Sequence, residues 1–245
     1  MRARIEAPPG FSPLSGKAEA GLDRAWARLQ KRNGRSSSRD IYNFLLTAAA
    51  HAWHSEKLSA VIDLGEELHD CDPASPTYGN YRWYWSNTHP DDRNAVEFCM
   101  SAASLTWTLY RDRLPADARE KLSAALALGV EGILRHKVDV SYTNIFLMRL
   151  ANCILIGEST GRPELVQRGR DWLDEWLAYT RAYGIHEFSS PTYYGVDLAD
   201  LGALARYAQD DSIRAKAATA LRLFWTDIAA NWFEPYQGIA GAHSR

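Results

Sequence analysis

The sequence predicts an all-α protein built of helical hairpins. Apolar residues recur at helix-face spacing, as in Leu22, Ala25, Trp26 and Leu29, and again in Leu165, Val166, Trp172, Leu173 and Trp176. No segment shows sustained period-two alternation between hairpin turns. Loops rich in aromatic and polar residues return once per helical pair, at roughly 45–60 residues, the interval of helical-hairpin repeats. Such hairpins set in a closed ring form an α/α toroid, in which every second loop opens at the same end. The roughly nine helices read from the pattern are fewer than a full toroid takes, and the sequence stops abruptly at Gly241-Ala-His-Ser-Arg245. The expectation is therefore an incomplete ring, either a truncated chain or a smaller variant, with one toroid domain over 16–245.

Taken in order, residues 1–15 are rich in Pro and Gly and read as an irregular lead-in. A helix begins at Ser15 and ends at Asn33-Gly34; Ser38 or Asp40 caps the next, which runs to about His54. A third covers 57–69, followed by a loop broken by Pro73 and Pro76. Pro90 and Asp91 start a long helix to about Arg113, and Pro115 separates it from one that reaches His136. Asn144 opens an apolar helix to Ile156, closed at Gly157. Pro163 begins another at its first turn, a favoured site for proline. Helices over 197–207 and 212–232 complete the set.

Composition narrows the function classes. The net charge of −2 over 245 residues supplies no basic field for nucleic acid or anionic lipid. Cys71, Cys99 and Cys153 are odd in number and widely spaced, which favours free thiols in a reducing compartment. The N-terminus lacks the apolar core of a signal peptide, and no run approaches membrane-spanning length; a cytoplasmic location is expected. Nine Trp and twelve Tyr are many for this length, and flat rings with polar edges suit sugar faces as well as protein cores.

Three stretches carry the chemistry, and the expectation is that they meet in one cleft: Tyr78 to His89, Ser141 to Asn144, and Tyr183 to Asp197. Asn144 at a helix start is either a cap or a donor aimed at an anion such as a carboxylate. His186 is either a hydrogen-bonded loop residue or a proton handler. Tyr193 and Tyr194 are either lid or core aromatics, or phenols tuned by a neighbouring cation. Trp83 and Trp85 either plug hairpin ends or stack on sugar, while Arg82 can clamp a carboxylate at two points. Asn87, His89, Tyr142 and Glu187 add polar groups for a substrate. Asp197 reads as an ordinary acid of a helix N-terminus as well as a candidate carboxylate. There is no Gly-rich phosphate loop, His-Glu-x-x-His, Gly-x-Ser-x-Gly or Cys pair. His51 and His54 share a helix face but read as packing, so neither a metal nor a cofactor is expected.

Asn80-Tyr-Arg-Trp-Tyr-Trp85, then Tyr142-Thr-Asn-Ile-Phe-Leu-Met148, then His186-Glu-Phe-Ser-Ser-Pro-Thr-Tyr-Tyr194 resemble, in order and spacing over 78–210, the α/α-toroid polysaccharide lyases. This is the alginate-lyase, heparinase and chondroitin-lyase-like group. The resemblance implies β-elimination at a uronic acid in an oligo- or polysaccharide. Asn144 and Arg82 would neutralise the substrate carboxylate. Tyr193 or Tyr194, partnered by His186, would move the proton, and the aromatic platform would orient the sugar. The chain departs from the family at Ile145, where His often follows the Asn, so the imidazole falls to His186 or His89.

Two other classes compete. A toroid glycoside hydrolase needs opposed carboxylates, for which Glu187 with Asp91, Asp92 or Asp197 would serve. A non-catalytic glycan-binding or scaffold protein needs neither.

Overall fold

The computed structural model describes residues 16–244, so the expected lead-in over 1–15 lies outside the described residues. Among these, nine α-helices, three single-turn 3-10 helices and one two-residue-per-strand hairpin make up the regular structure. The chain divides into two compact units, the first ending at Ile133 and the second beginning at Leu134. No helix among the described residues is long and apolar enough to cross a membrane. Cys71, Cys99 and Cys153 form no disulfide among the described residues.

The first unit holds α1 (Gly16–Leu29), α2 (Ser38–Ala50), α3 (Leu58–Glu66), α4 (Ala95–Tyr110) and nearly all of α5 (Ala116–Arg135). Helix α2 starts where a capping box forces it to. The Ser37 hydroxyl accepts from the Asp40 backbone N–H, and Asp40 returns a bond to the Ser37 N–H. It packs against α3 and α4, and Ile41, Tyr42 and Leu45 of α2, Val61 and Ile62 of α3, and Val96, Cys99 and Met100 of α4 are all buried. Each large apolar side chain so buried contributes about 1.5–3 kcal/mol. The helix stops at Ala50, short of the expected His54, because Ala52 and His54 take left-handed backbone angles of +53° and +32°, which a right-handed helix cannot include. The loop after α3 touches α5 backbone to backbone at Gly79 and Gly132. A Cβ at either position would collide with the other's main chain, and Gly79 also has φ +81°.

The second unit holds α6 (Thr143–Thr160), α7 (Pro163–Tyr183), α8 (Pro191–Tyr207) and α9 (Asp211–Ala230), then strands β1 (Trp232–Phe233) and β2 (Gly238–Ile239) paired antiparallel. Helix α6 is mostly apolar and is buried at every position from Thr143 to Gly157, polar Asn144, Arg149 and Asn152 included; α7 and α8 pack on it, and α9 packs on α8. Gly157 does not close α6 as expected. The helix runs on to a left-handed cap at Gly161, and Gly157 instead admits Arg162 and Val166 to close approach. Helix α8 begins six residues before the expected 197, with Pro191 in its first turn and Ser190 as cap. Tyr193, Tyr194 and Asp197 are thus helical rather than loop residues.

Candidate functional site

In the second unit the site grows from the starts of α6 and α8 and the connection between α7 and α8. Asn144 is the second residue of α6, where backbone N–H groups have no partner within the helix. Its N–H donates to Glu187 Oε2 at 2.8 Å, and its Nδ2 donates to Glu187 Oε1 and Oε2 at 3.0 and 2.8 Å. Both residues are buried. Asn144 is therefore a helix-terminal anion binder, and the anion it holds is the chain's own carboxylate, 43 residues away. Its Oδ1 is buried without a hydrogen-bond partner among the described residues.

Asp197 and Asp200, one turn apart on α8, are also buried. Neither oxygen of Asp197 has a hydrogen-bond partner among the described residues. Burial, with the nearby Glu187 and Asp200 carboxyls, pushes Asp197 up to about 9, so at neutral pH it is a protonated acid. Tyr194 is buried as well, and its hydroxyl donates to Asp227 Oδ2 at 2.7 Å on α9. Burial and that carboxylate raise the phenol well above its ordinary range. A phenol held this way keeps its proton, which removes Tyr194 as a resting-state base.

Above these buried groups the connection alternates. His186 and Phe188 are exposed on either side of buried Glu187. His186 Nδ1 lies 3.3 Å from the Tyr179 hydroxyl, and the Tyr179 ring lies 4.9 Å from that of Tyr183, which is 75% exposed. Asp139 faces His186 electrostatically, while Ser141 donates to it through both N–H and hydroxyl and holds its carboxyl below the ordinary range. Tyr142 precedes α6 as its cap residue and is half-buried, as is Tyr193. His186 is thus paired with Tyr179 rather than with Tyr193 or Tyr194. Tyr179 lies outside the expected stretches, and Tyr183 and Phe188 lie within the third without an assigned role, although the spacing 179, 183, 186 is that of one helix face carried into a loop.

The remaining expected residues lie in the first unit, tied to their own surroundings. The Arg82 guanidinium donates to the carbonyls of Asn87 at 2.8 Å and Glu67 at 2.6 Å. Trp83 Nε1 donates to Asp92, and Trp85 Nε1 to Glu67, both at 3.0 Å. Asn87 accepts from the Tyr84 N–H and donates to Asp91, and His89 Nε2 lies 2.8 Å from Asp91. Asn80 fixes the loop by donating to the Arg93 carbonyl at 2.8 Å.

A family described as a domain of unknown function, DUF8769, matches residues 65–245. The chain belongs to that family. The matched stretch of DUF8769 takes in every residue of both loops and the buried carboxyl cluster. Neither the curated proteins nor the solved structures yield a match to the chain.

Proposed function

We propose that this DUF8769 chain acts on a uronic-acid-containing glycan by β-elimination, with the α7–α8 connection as its working face. The observation that carries the reading is the pairing of half-buried Tyr179 with exposed His186, beside exposed Tyr183 and Phe188, at a connection pinned from below by Asn144 and Glu187. Exposed rings on a fixed backbone are suited to stacking on sugar faces, because little freedom is left to lose on binding. His186 removes the proton next to the uronate carboxyl, and Tyr179, within hydrogen-bond reach, hands a proton to the leaving oxygen. Asn144 positions this pair through Glu187. An α/α-toroid arrangement is part of the same proposal, supported by the two-residue link between α6 and α7 and the three-residue link between α8 and α9, both of the length that joins antiparallel neighbours.

The test is incubation with a panel of uronate-containing glycans, followed by ultraviolet absorbance of the unsaturated product. His186→Ala and Tyr179→Phe are each expected to lower turnover by about 10²-fold or more, the usual contribution of a positioned acid or base, with thermal unfolding unchanged. Absence of unsaturated product across the panel removes the lyase reading.

A second reading, hydrolysis, draws on Asp197. A carboxyl held protonated beside Glu187 is the pattern of an acid paired with a second carboxyl. New reducing ends without absorbance would select it.

A further inference from the structure

We propose that Glu66, His69 and Cys71, in the first unit, bind a zinc ion. The proposal is independent of the glycan reading and rests on the surroundings of the His69 ring. That side chain is fully buried and stacked on Tyr81 with ring centres 3.9 Å apart. Its Nε2 lies 3.2 Å from the Gly79 carbonyl oxygen. A carbonyl only accepts, so Nε2 carries a hydrogen, and the neutral ring presents a lone pair at Nδ1. Nδ1 lies 3.2 and 3.1 Å from Glu66 Oε1 and Oε2, and Glu66 Oε1 also accepts from the Tyr42 hydroxyl at 2.8 Å. An acceptor thus faces an acceptor in a part-buried place, and the contact is favourable only with a positive charge between them. That charge is either a second ring proton or a metal ion.

Cys71 decides between the two. Its sulfur and the Glu66 and His69 donor atoms all lie within 4.8 Å of one another. The thiol lies 3.6 Å from the His69 carbonyl oxygen, which holds it next to the pair, and its sulfur completes a three-donor nitrogen, oxygen and sulfur set that suits zinc over magnesium or calcium. The Nδ1 to carboxylate separation is close to the edge of a tetrahedron with zinc bonds near 2.0 Å, which is about 3.3 Å. The bond from Nε2 to the Gly79 carbonyl is the outer contact that fixes the ring of a metal-bound histidine. A cavity of about 400 Å³ lined by His69, Cys71, Asp70, Arg82 and His89 gives an entry path and room for a fourth, exchangeable ligand. Three protein donors with an open position is the composition of a reactive rather than a closed structural zinc site.

The test uses the full chain, stripped with a chelator and titrated with zinc against a chromophoric competitor, and with cobalt as a spectroscopic substitute. The expected result is one equivalent per chain, a thiolate-to-cobalt charge-transfer band, and a zinc-dependent rise in Tm. Cys71→Ser, at an exposed position that leaves the core intact, is expected to lose the band and to weaken zinc by at least about tenfold, the loss seen even for outer-shell partners. His69→Gln is expected to weaken it likewise. No uptake by the wild type would overturn the proposal and leave His69 as an imidazolium paired with Glu66. So would uptake that survives in Cys71→Ser and is lost in His54→Ala, which would mark surface binding beside Asp23 and Glu56.

Discussion

The two aromatic connections, 78–89 and 183–194, look alike as sequence and behave differently as structure. In the first, the polar groups that were candidates for a substrate are closed onto the loop and its flanks: Arg82 on two carbonyls, Trp83 on Asp92, Trp85 on Glu67, Asn87 and His89 on Asp91. In the second, the bonds are made inward by Glu187, while Tyr183, His186 and Phe188 face solvent. The difference teaches that aromatic richness marks a loop as costly to build without saying what it is built for. A loop whose donors and acceptors satisfy one another is a self-supporting knot. A loop anchored from beneath by buried groups, with its rings outside, is presented for use.

Cutting the anchor should have the largest effect. Glu187→Ala leaves the Asn144 N–H and Nδ2 buried without an acceptor, at an expected cost on the order of 3 kcal/mol. Urea unfolding measures it. A shift below about 1 kcal/mol would mean that the second connection is no more anchored than the first.

Asp197→Asn sharpens the same contrast from the other side. The Asp197 pKa is raised from 3.8 to about 9 in the folded protein. Its contribution to stability is therefore complete below 3.8 and is lost as pH rises toward about 9, because the unfolded chain releases the proton first. The Asn variant carries no such proton, so its stability should be flatter over this range, with a gain on the order of 2 kcal/mol at pH 7. Parallel stability–pH curves for the two proteins would show that Asp197 does not titrate as a buried acid.

These particulars also show what was legible in the sequence. The starts of α5 and α7 were, because Pro115 and Pro163 announce them and long amphipathic faces follow. The start of α8 was equally available in Ser190-Pro191, a cap followed by a first-turn proline, but the Tyr doublet drew the segment toward a loop reading. Asn144 was recognisable as a helix-terminal donor from its place after Tyr142 and Thr143. Its acceptor was not, since nothing local ties it to a carboxylate 43 residues on. The burial of Asp197 was hidden for the same reason: its helix face is defined by which neighbour packs there, a tertiary fact. Tyr179 fell outside every loop motif because it belongs to α7, and only the turn at Gly184, with φ +79°, brings His186 back to it.

Tyr194→Phe removes a buried phenol's bond to Asp227 and leaves the ring in place against Phe224. A bond to a charged acceptor at this depth is worth about 1.5 kcal/mol, so a fall of that size in thermal or urea stability is expected. A neutral outcome would place the hold on α8 in its apolar packing alone.

Trp85→Phe tests the knot rather than the anchor and should have the smallest effect, about 0.5 kcal/mol. The indole N–H donates to Glu67 Oε2, but Glu67 is also gripped by Arg32 through two bonds of 2.7 and 2.6 Å, so its carboxylate keeps partners when the indole goes. Arg32, and less strongly Trp85, hold the Glu67 carboxyl below its ordinary range. The bond's contribution is therefore present above the ordinary carboxylate pKa and is lost as pH falls through the lowered one. The wild type and Trp85→Phe should differ near neutral pH and converge in acid. A loss of more than about 2 kcal/mol, or one that persists in acid, would make Trp85 a packing anchor comparable to Glu187, and the contrast between the two connections would collapse.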